Sequence, residues 1–135
     1  MNAIADTGFL VAFLNERDAH HSWAVEWAKR ITMPLLTCEP VITEAAFLVR
    51  SGRLVLDLIA AGMIRVEFSV TANRPQLASL HARFSDREPD MCDLCVVRMS
   101  ELFPEHSVLT TDRKDFMVYR RNIRELIPTI FPPGS

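Results

Sequence analysis

Short apolar runs alternate with helical stretches along the whole chain, and two of the runs close on an aspartate. Residues 1–5 lead into Asp6, and residues 107–111 lead into Asp112. Runs this short and this apolar read as buried strands. Strands alternating with helices predict an α/β layer structure with a mostly parallel sheet. In open sheets of that kind, ligands bind in the crevice beyond the carboxyl ends of the strands. If both strands are central and parallel, Asp6 and Asp112 meet at that edge. Each has a hydroxyl beside it, Thr7 for Asp6, and Thr111 with Thr110 for Asp112.

The pattern between these runs supplies the frame. Thr7 and Gly8 open a short helix over 9–14, and Asp18 is placed to cap a second one. That second helix carries Trp23 and Trp27 four apart on one face, where core packing is the simplest reading. Leu35-Leu36 offers a brief strand after Pro34. Pro40 suits the first turn of a third helix, with Val41, Ala45, Leu48 and Val49 at helical spacing and Gly52 as its stop. A fourth helix over 53–61 ends at Gly62, and residues 63–68 read as a strand. Further helices are expected over 73–84 and from Pro89 onward. After the strand at 107–111 a short helix follows, and the domain closes near Ile130-Phe131, giving one domain over 1–131. The tail over 132–135 is expected to be poorly ordered.

A length of 135 residues fits one domain, and an apolar content of 49% fills one core. No apolar run approaches the roughly 20 residues of a membrane span, and Asp6 interrupts the first run too early for a secretory signal. The cytoplasm is therefore the expected location. Cys38, Cys92 and Cys95 are an odd set that does not suggest a disulfide framework, and small buried side chains are the reading. The four histidines fit no metal-ligand spacing and receive no catalytic role. A net charge of -2 does not advertise a nucleic-acid binder, but carboxylates gathered for a cation lower the total.

Two more acids lie in apolar surroundings. Glu44 is the only acid in a largely apolar stretch from Pro40 to Val49, and Asp93 is flanked by Met91, Cys92, Leu94, Cys95, Val96 and Val97. A carboxylate in such a setting is costly unless paired or bound to a metal. Asp90, three residues before Asp93, can share its helix face. Carboxylates brought to one point stay ionised only around a cation, and hard oxygen donors suit Mg²⁺ or Mn²⁺. Such a cation activates water and stabilises charge on a phosphate, while one acid serves as base. The competing reading makes Asp6 and Asp112 ordinary helix caps or turn residues.

Four segments resemble, in order, the motifs of the PIN-domain ribonucleases. They are Ile4-Ala5-Asp6-Thr7-Gly8-Phe9-Leu10-Val11-Ala12, Val41-Ile42-Thr43-Glu44-Ala45-Ala46-Phe47-Leu48, Pro89-Asp90-Met91-Cys92-Asp93-Leu94-Cys95-Val96-Val97, and Val108-Leu109-Thr110-Thr111-Asp112-Arg113-Lys114-Asp115-Phe116. Each segment alone is a weak signal, and four in order are specific. The resemblance implies a PIN-like three-layer α/β/α sandwich and an acidic pocket for Mg²⁺ or Mn²⁺. It implies Asp6, Glu44, Asp93 and Asp112 as catalytic and metal-holding acids, with Thr7 and Thr110 as supporting hydroxyls. Asp115 is a supporting acid, and Asp90 rivals Asp93 for the third place. The small size is similar to VapC-type toxins of toxin–antitoxin pairs, which implies an RNA substrate, an antitoxin partner and a homodimer. A non-catalytic PIN-like module that binds RNA or protein is the alternative.

Beyond Asp112 the chain is basic. Arg113, Lys114, Arg120 and Arg121 are candidates to hold RNA phosphates, and Tyr119 is a candidate to stack on a base. The helices at 23–31 and 54–63 are apolar enough to leave faces for the dimer and the antitoxin.

Overall fold

A computed structural model describes residues 1–134 of the chain. Its strands are β1 (Ala3–Ala5), β2 (Leu35–Thr37), β3 (Ile64–Val66), β4 (Ser107–Leu109), β5 (Arg120–Arg121), β6 (Glu125–Leu126) and β7 (Thr129–Ile130). Its helices are α1 (Thr7–Leu14), α2 (His21–Arg30), α3 (Glu39–Val49), α4 (Gly52–Ala60), α5 (Arg74–Arg83), α6 (Met91–Leu102) and α7 (Arg113–Phe116). Five strands form one parallel sheet in the order β3-β2-β1-β4-β7, and β5 pairs with β6 in a small antiparallel ribbon. The α/β layering expected from the sequence is the fold the chain adopts, with the sheet flanked by helices.

The strand order fixes where a site can lie. From β1 the chain steps outward to β2 and β3, then returns across β1 to β4. Crossovers between parallel strands are right-handed, so the helices before β3 and those after it go to opposite faces. The reversal leaves a crevice beyond the carboxyl ends of β1 and β4, the switch point at which open sheets bind ligands. Ala5 pairs with Leu109 at the ends of these two strands, so the residues that follow each strand emerge side by side.

Burial explains the pattern. Ala3, Ile4 and Ala5 are all fully buried, which is why β1 reads as a continuous apolar run. The most buried helix is α6, which packs on β1, β4, α3 and α5 and buries Cys92, Leu94, Cys95, Val96, Val97 and Met99. All three cysteines are free and buried, as expected for small apolar side chains. Phe9 meets Trp23 edge-on at 5.6 Å between ring centroids. Trp23 and Ile31 are buried, so the apolar face of α2 completes the core. Phe47, Leu48, Leu54, Leu56 and Ile59 on α3 and α4 stay exposed. No helix among the described residues is long and apolar enough to cross a membrane.

Several boundaries differ from the sequence reading for local reasons. The third helix stops at Arg50, which takes a left-handed φ of 58°, rather than at Gly52. Ser51 then caps α4 by accepting from the Leu54 amide at 3.2 Å, so Gly52 begins a helix instead of ending one. Gly62 does end α4, with a φ of 75° that an L side chain resists. Asp18 does not cap α2; its Oδ1 accepts from the His20 amide at 2.8 Å in the turn before it. The helix expected from Pro89 begins at Met91 with Asp90 as its cap. Of the tail, Pro132 is buried and its carbonyl accepts from Arg113 Nη2 at 3.4 Å, whereas Ser135 lies outside the described residues.

Candidate active site

Asp6 follows β1 and is held on three sides. Its amide donates to the Leu109 carbonyl at 3.0 Å, which ties it to the end of β4. Its Oδ1 accepts from the Thr7 amide at 2.9 Å and so caps α1. Its Oδ2 accepts from the Thr110 hydroxyl at 2.6 Å. Thr110 Oγ1 in turn accepts from the Asp112 amide at 3.0 Å, so one hydroxyl links the two strand-end acids. Below, the Thr37 hydroxyl donates to the Ala5 carbonyl at 2.9 Å. Burial pushes the Asp6 carboxyl up to about 6, against the lowering effect of the Thr110 and Thr7 bonds.

Asp93, Asp112 and Asp115 converge. Each offers a carboxylate oxygen lying within 4.8 Å of the others. Asp112 Oδ1 accepts from the Asp115 amide at 3.0 Å, capping α7. Asp115 is gripped by Arg87, whose Nη2 and Nε donate to its Oδ1 at 2.9 and 3.2 Å. Asp93 Oδ2 accepts from the Tyr119 hydroxyl at 2.8 Å. Burial pushes Asp93 up to about 7; the Tyr119 bond lowers it, and the charges of Asp90, Asp6 and Asp112 raise it further. Asp112 is raised as well, chiefly by burial. Asp90 Oδ1 accepts from the Asp93 amide at 2.8 Å, so Asp90 is the cap of α6 and Asp93 lies in its first turn, not at mid-helix.

These groups line a cleft of about 460 Å³ that also includes Glu44, Cys92, Asp18, His20 and Glu88. Glu44 shares the cleft but is not within the triad of converging oxygens, and its Oε2 accepts from the Cys92 thiol at 3.3 Å. Gly8 forms part of the wall because a Cβ there would collide with Thr111 Oγ1. The Thr7 hydroxyl is buried beside the Cys92 thiol, and this contact lowers the thiol against the raising effect of burial. The sequence reading gave His20 no role; the structure puts it in the cleft wall.

The basic segment needs correction. Tyr119 is 1% exposed and cannot stack on a base. Arg121 is 5% exposed, and its guanidinium is spent on Glu125, the Ser100 carbonyl at 2.7 Å and the Pro104 carbonyl at 3.3 Å. Arg120 Nη1 is folded back onto the carbonyls of Met117, Val118 and Tyr119. The strands β5 and β6 turn these residues inward, and two-residue strands leave no periodicity to read. Arg113 and Lys114 are exposed on α7, next to Asp112, with the Arg113 guanidinium 4.5 Å from the Phe131 ring centre. The contacts of Arg87 and Tyr119 with cleft acids carry no local sequence signal, since both come from distant segments.

The residues fit a divalent cation. The converging donors are hard oxygens, as Mg²⁺ and Mn²⁺ require. Three neighbouring carboxyls are pushed up, a cost that a cation among them removes.

No protein-family model matches the chain, and no curated protein matches it by sequence. Among solved structures it is similar to VapC20 of Mycobacterium tuberculosis, a sarcin–ricin loop cleaving toxin. The TM-score is 0.68 at 19% identity, covering 79% of this chain and 87% of that one. The fold is thus PIN-like.

Proposed function

We propose that this PIN-like chain is a divalent-metal-dependent endoribonuclease and the toxin half of a toxin–antitoxin pair. One observation carries the reading: carboxylates from four separated segments meet at the switch point of a sheet shared with an RNA-cleaving toxin. Asp93, Asp112 and Asp115 are the residues that would hold the cation, with Asp6 anchored behind them by Thr110. When bound, Mg²⁺ or Mn²⁺ supplies a water of lowered pKa and charge stabilisation at the phosphate. Glu44, whose partner is only a neutral thiol, is the acid free to accept the proton of an attacking water. Asp115, read from the sequence as a supporting acid, takes a holding role here because its oxygen falls within the converging set.

The substrate is a single-stranded or loop RNA, the class in which unstacked bases and an accessible backbone occur. Arg113 and Lys114 are the exposed cations placed to meet its phosphates. The antitoxin and a second copy of the chain are the partners, and the exposed side chains Phe47, Leu48, Leu54 and Leu56 on α3 and α4 support an interface there. The expected location is the cytoplasm. The test is cleavage of structured and unstructured RNA by the purified protein in Mg²⁺, in Mn²⁺ and in EDTA, beside Asp112→Asn. Cleavage in metal that stops in EDTA and in the variant supports the reading. Equal cleavage in EDTA refutes it.

A further inference from the structure

Tyr119 is the only tyrosine of the chain. Its ring stands edge-on to Phe84 and Phe116, both at 5.3 Å between centroids. Its amide donates to the Asp115 carbonyl at 3.0 Å, so the backbone is tied to the turn that carries Asp112 and Asp115. Ring packing and backbone together aim the phenol at Asp93, a residue of the cleft lining, and it donates to Asp93 Oδ2 at 2.8 Å. Among the described residues no other side chain donates to the Asp93 carboxylate.

We infer that Tyr119 is a positioning residue for the cation. Its hydroxyl fixes Asp93 Oδ2 and so sets the direction of the carboxylate that converges with Asp112 and Asp115, without bringing in a compensating charge. The inference rests on the reading of the cleft as a divalent-cation site. A carboxylate turns easily about its last torsion, whose profile is broad. A donor mounted on a buried ring removes that freedom before any cation arrives. The donor is neutral, which matters in this cleft. Arg87 holds Asp115 with a positive charge that offsets part of what the carboxylate can offer. A second cationic holder on Asp93 would leave little net attraction for a metal, whereas a phenol orients without neutralising. Loss of such an outer hydrogen bond commonly weakens metal affinity by about 10- to 100-fold.

The single tyrosine makes the test direct. Biosynthetic 3-fluorotyrosine places one ¹⁹F nucleus in the full chain, at Tyr119. Titration with Mg²⁺ is expected to shift that resonance in the wild-type protein and to leave it unmoved in Asp93→Asn. In parallel, the Mn²⁺ dissociation constant is measured for the wild type and for Tyr119→Phe, which keeps the ring between Phe84 and Phe116 and deletes only the hydroxyl. About tenfold weaker Mn²⁺ binding is expected, with no further weakening when Tyr119→Phe is added to Asp93→Asn. Unchanged Mn²⁺ affinity in a folded Tyr119→Phe overturns the inference while leaving the metal site standing. Equal weakening in the Asp93→Asn background overturns it too, since the effect would then be general loosening. If Tyr119→Phe does not fold, the ¹⁹F titration decides, and a resonance indifferent to bound Mg²⁺ counts against the role. A wild-type protein that binds neither Mg²⁺ nor Mn²⁺ removes the metal reading itself, and this inference with it.

Discussion

Replacing Asp93 by Asn should make the metal-free protein more stable at pH 8 and leave it unchanged near pH 4. The carboxyl is displaced from 3.8 to about 7, first by burial and then by neighbouring charges, with the favourable Tyr119 bond already counted. At ~1.36 kcal/mol per pH unit, a fully shielded group would lose roughly 4 kcal/mol. Asp93 is only half-buried, and solvent screening reduces that to about 1–2 kcal/mol. The folded state binds this proton more tightly than the unfolded state does. Stability therefore falls as pH rises from about 3.8 to about 7, and stays flat above that. Asn retains a carbonyl oxygen for the Tyr119 hydroxyl and removes the charge. In EDTA, thermal melts should show the variant about 3–10 °C higher at pH 8, taking roughly 3–5 °C per kcal/mol for a domain of this size. The gap should close through that pH window. Asp6 and Asp112 are raised in both proteins, and the loss of their repulsion with Asp93 acts in the same direction, in favour of the variant. Mg²⁺ at ~100 times the wild-type dissociation constant should invert the ranking, because it adds about 2.7 kcal/mol to the wild type and less to a variant that binds the cation more weakly. A variant less stable at pH 8, or a gap that does not change with pH, refutes the reasoning.

Asp90→Ser should keep both stability and Mn²⁺ affinity, because serine can cap α6 and the proposed ligand is Asp93, whereas Asp90→Ala should cost about 1 kcal/mol in a denaturant melt. A large loss of Mn²⁺ binding in Asp90→Ser would return the third place to Asp90. Gly8→Ala should destabilise by about 1–3 kcal/mol through its collision with Thr111, and Thr111→Ala should recover most of that in the double variant. Arg121→Ala should lose about 3 kcal/mol or more, since it strands the Ser100 and Pro104 carbonyls. A well-folded Arg121→Ala with weakened RNA binding would restore this residue to the phosphate-binding set.

What could be read from the sequence follows from how strongly each residue is constrained. The runs into Asp6 and Asp112 are legible because β1 and β4 are central and buried: Ala3, Ile4 and Ala5 and then Val108 and Leu109 are fully buried, and no charged residue precedes the aspartate in either run. Glu44 is legible because an acid among apolar neighbours has few affordable explanations. The choice between helix cap and site residue at Asp6 and Asp112 was a false alternative. Each carboxylate has two oxygens, and at each of these positions Oδ1 takes a helix amide while the residue still lines the cleft. Asp115 was underrated because its meeting with Asp93 depends on the turn after β4, which no periodicity specifies. Tyr119 and Arg121 were misplaced because a basic, aromatic segment looks the same in sequence whether it lies on the surface or folds inward. Here an antiparallel ribbon of two-residue strands turns it inward, and the carbonyls left near the end of α6 take up the guanidinium.

The way the acids are held bears on how folding and metal binding are linked. Asp6 is held by a threonine hydroxyl, Asp93 by a phenol and Glu44 by a thiol; of these side chains only Asp115 is paired with a cation. Neutral donors fix direction without bringing in a compensating positive charge, so no cationic side chain offsets Asp6, Asp93 or Glu44 among the described residues. That arrangement costs stability, visible in the raised carboxyls of Asp6, Asp93 and Asp112. The same cost becomes attraction once a divalent ion enters, because the repulsion it relieves was already present in the folded state. A cleft built with arginine or lysine at each acid would be more stable empty and would bind metal weakly. Asp6 gives the scale: a fully buried carboxyl displaced from 3.8 to about 6 carries about 3 kcal/mol at neutral pH, from ~1.36 kcal/mol per unit. That is a sizeable share of the roughly 5–15 kcal/mol by which a domain is stable. Part of the fold's stability is therefore given up to gather these acids, and the hydroxyls of Thr110 and Tyr119 hold Asp6 and Asp93 in place without adding charge.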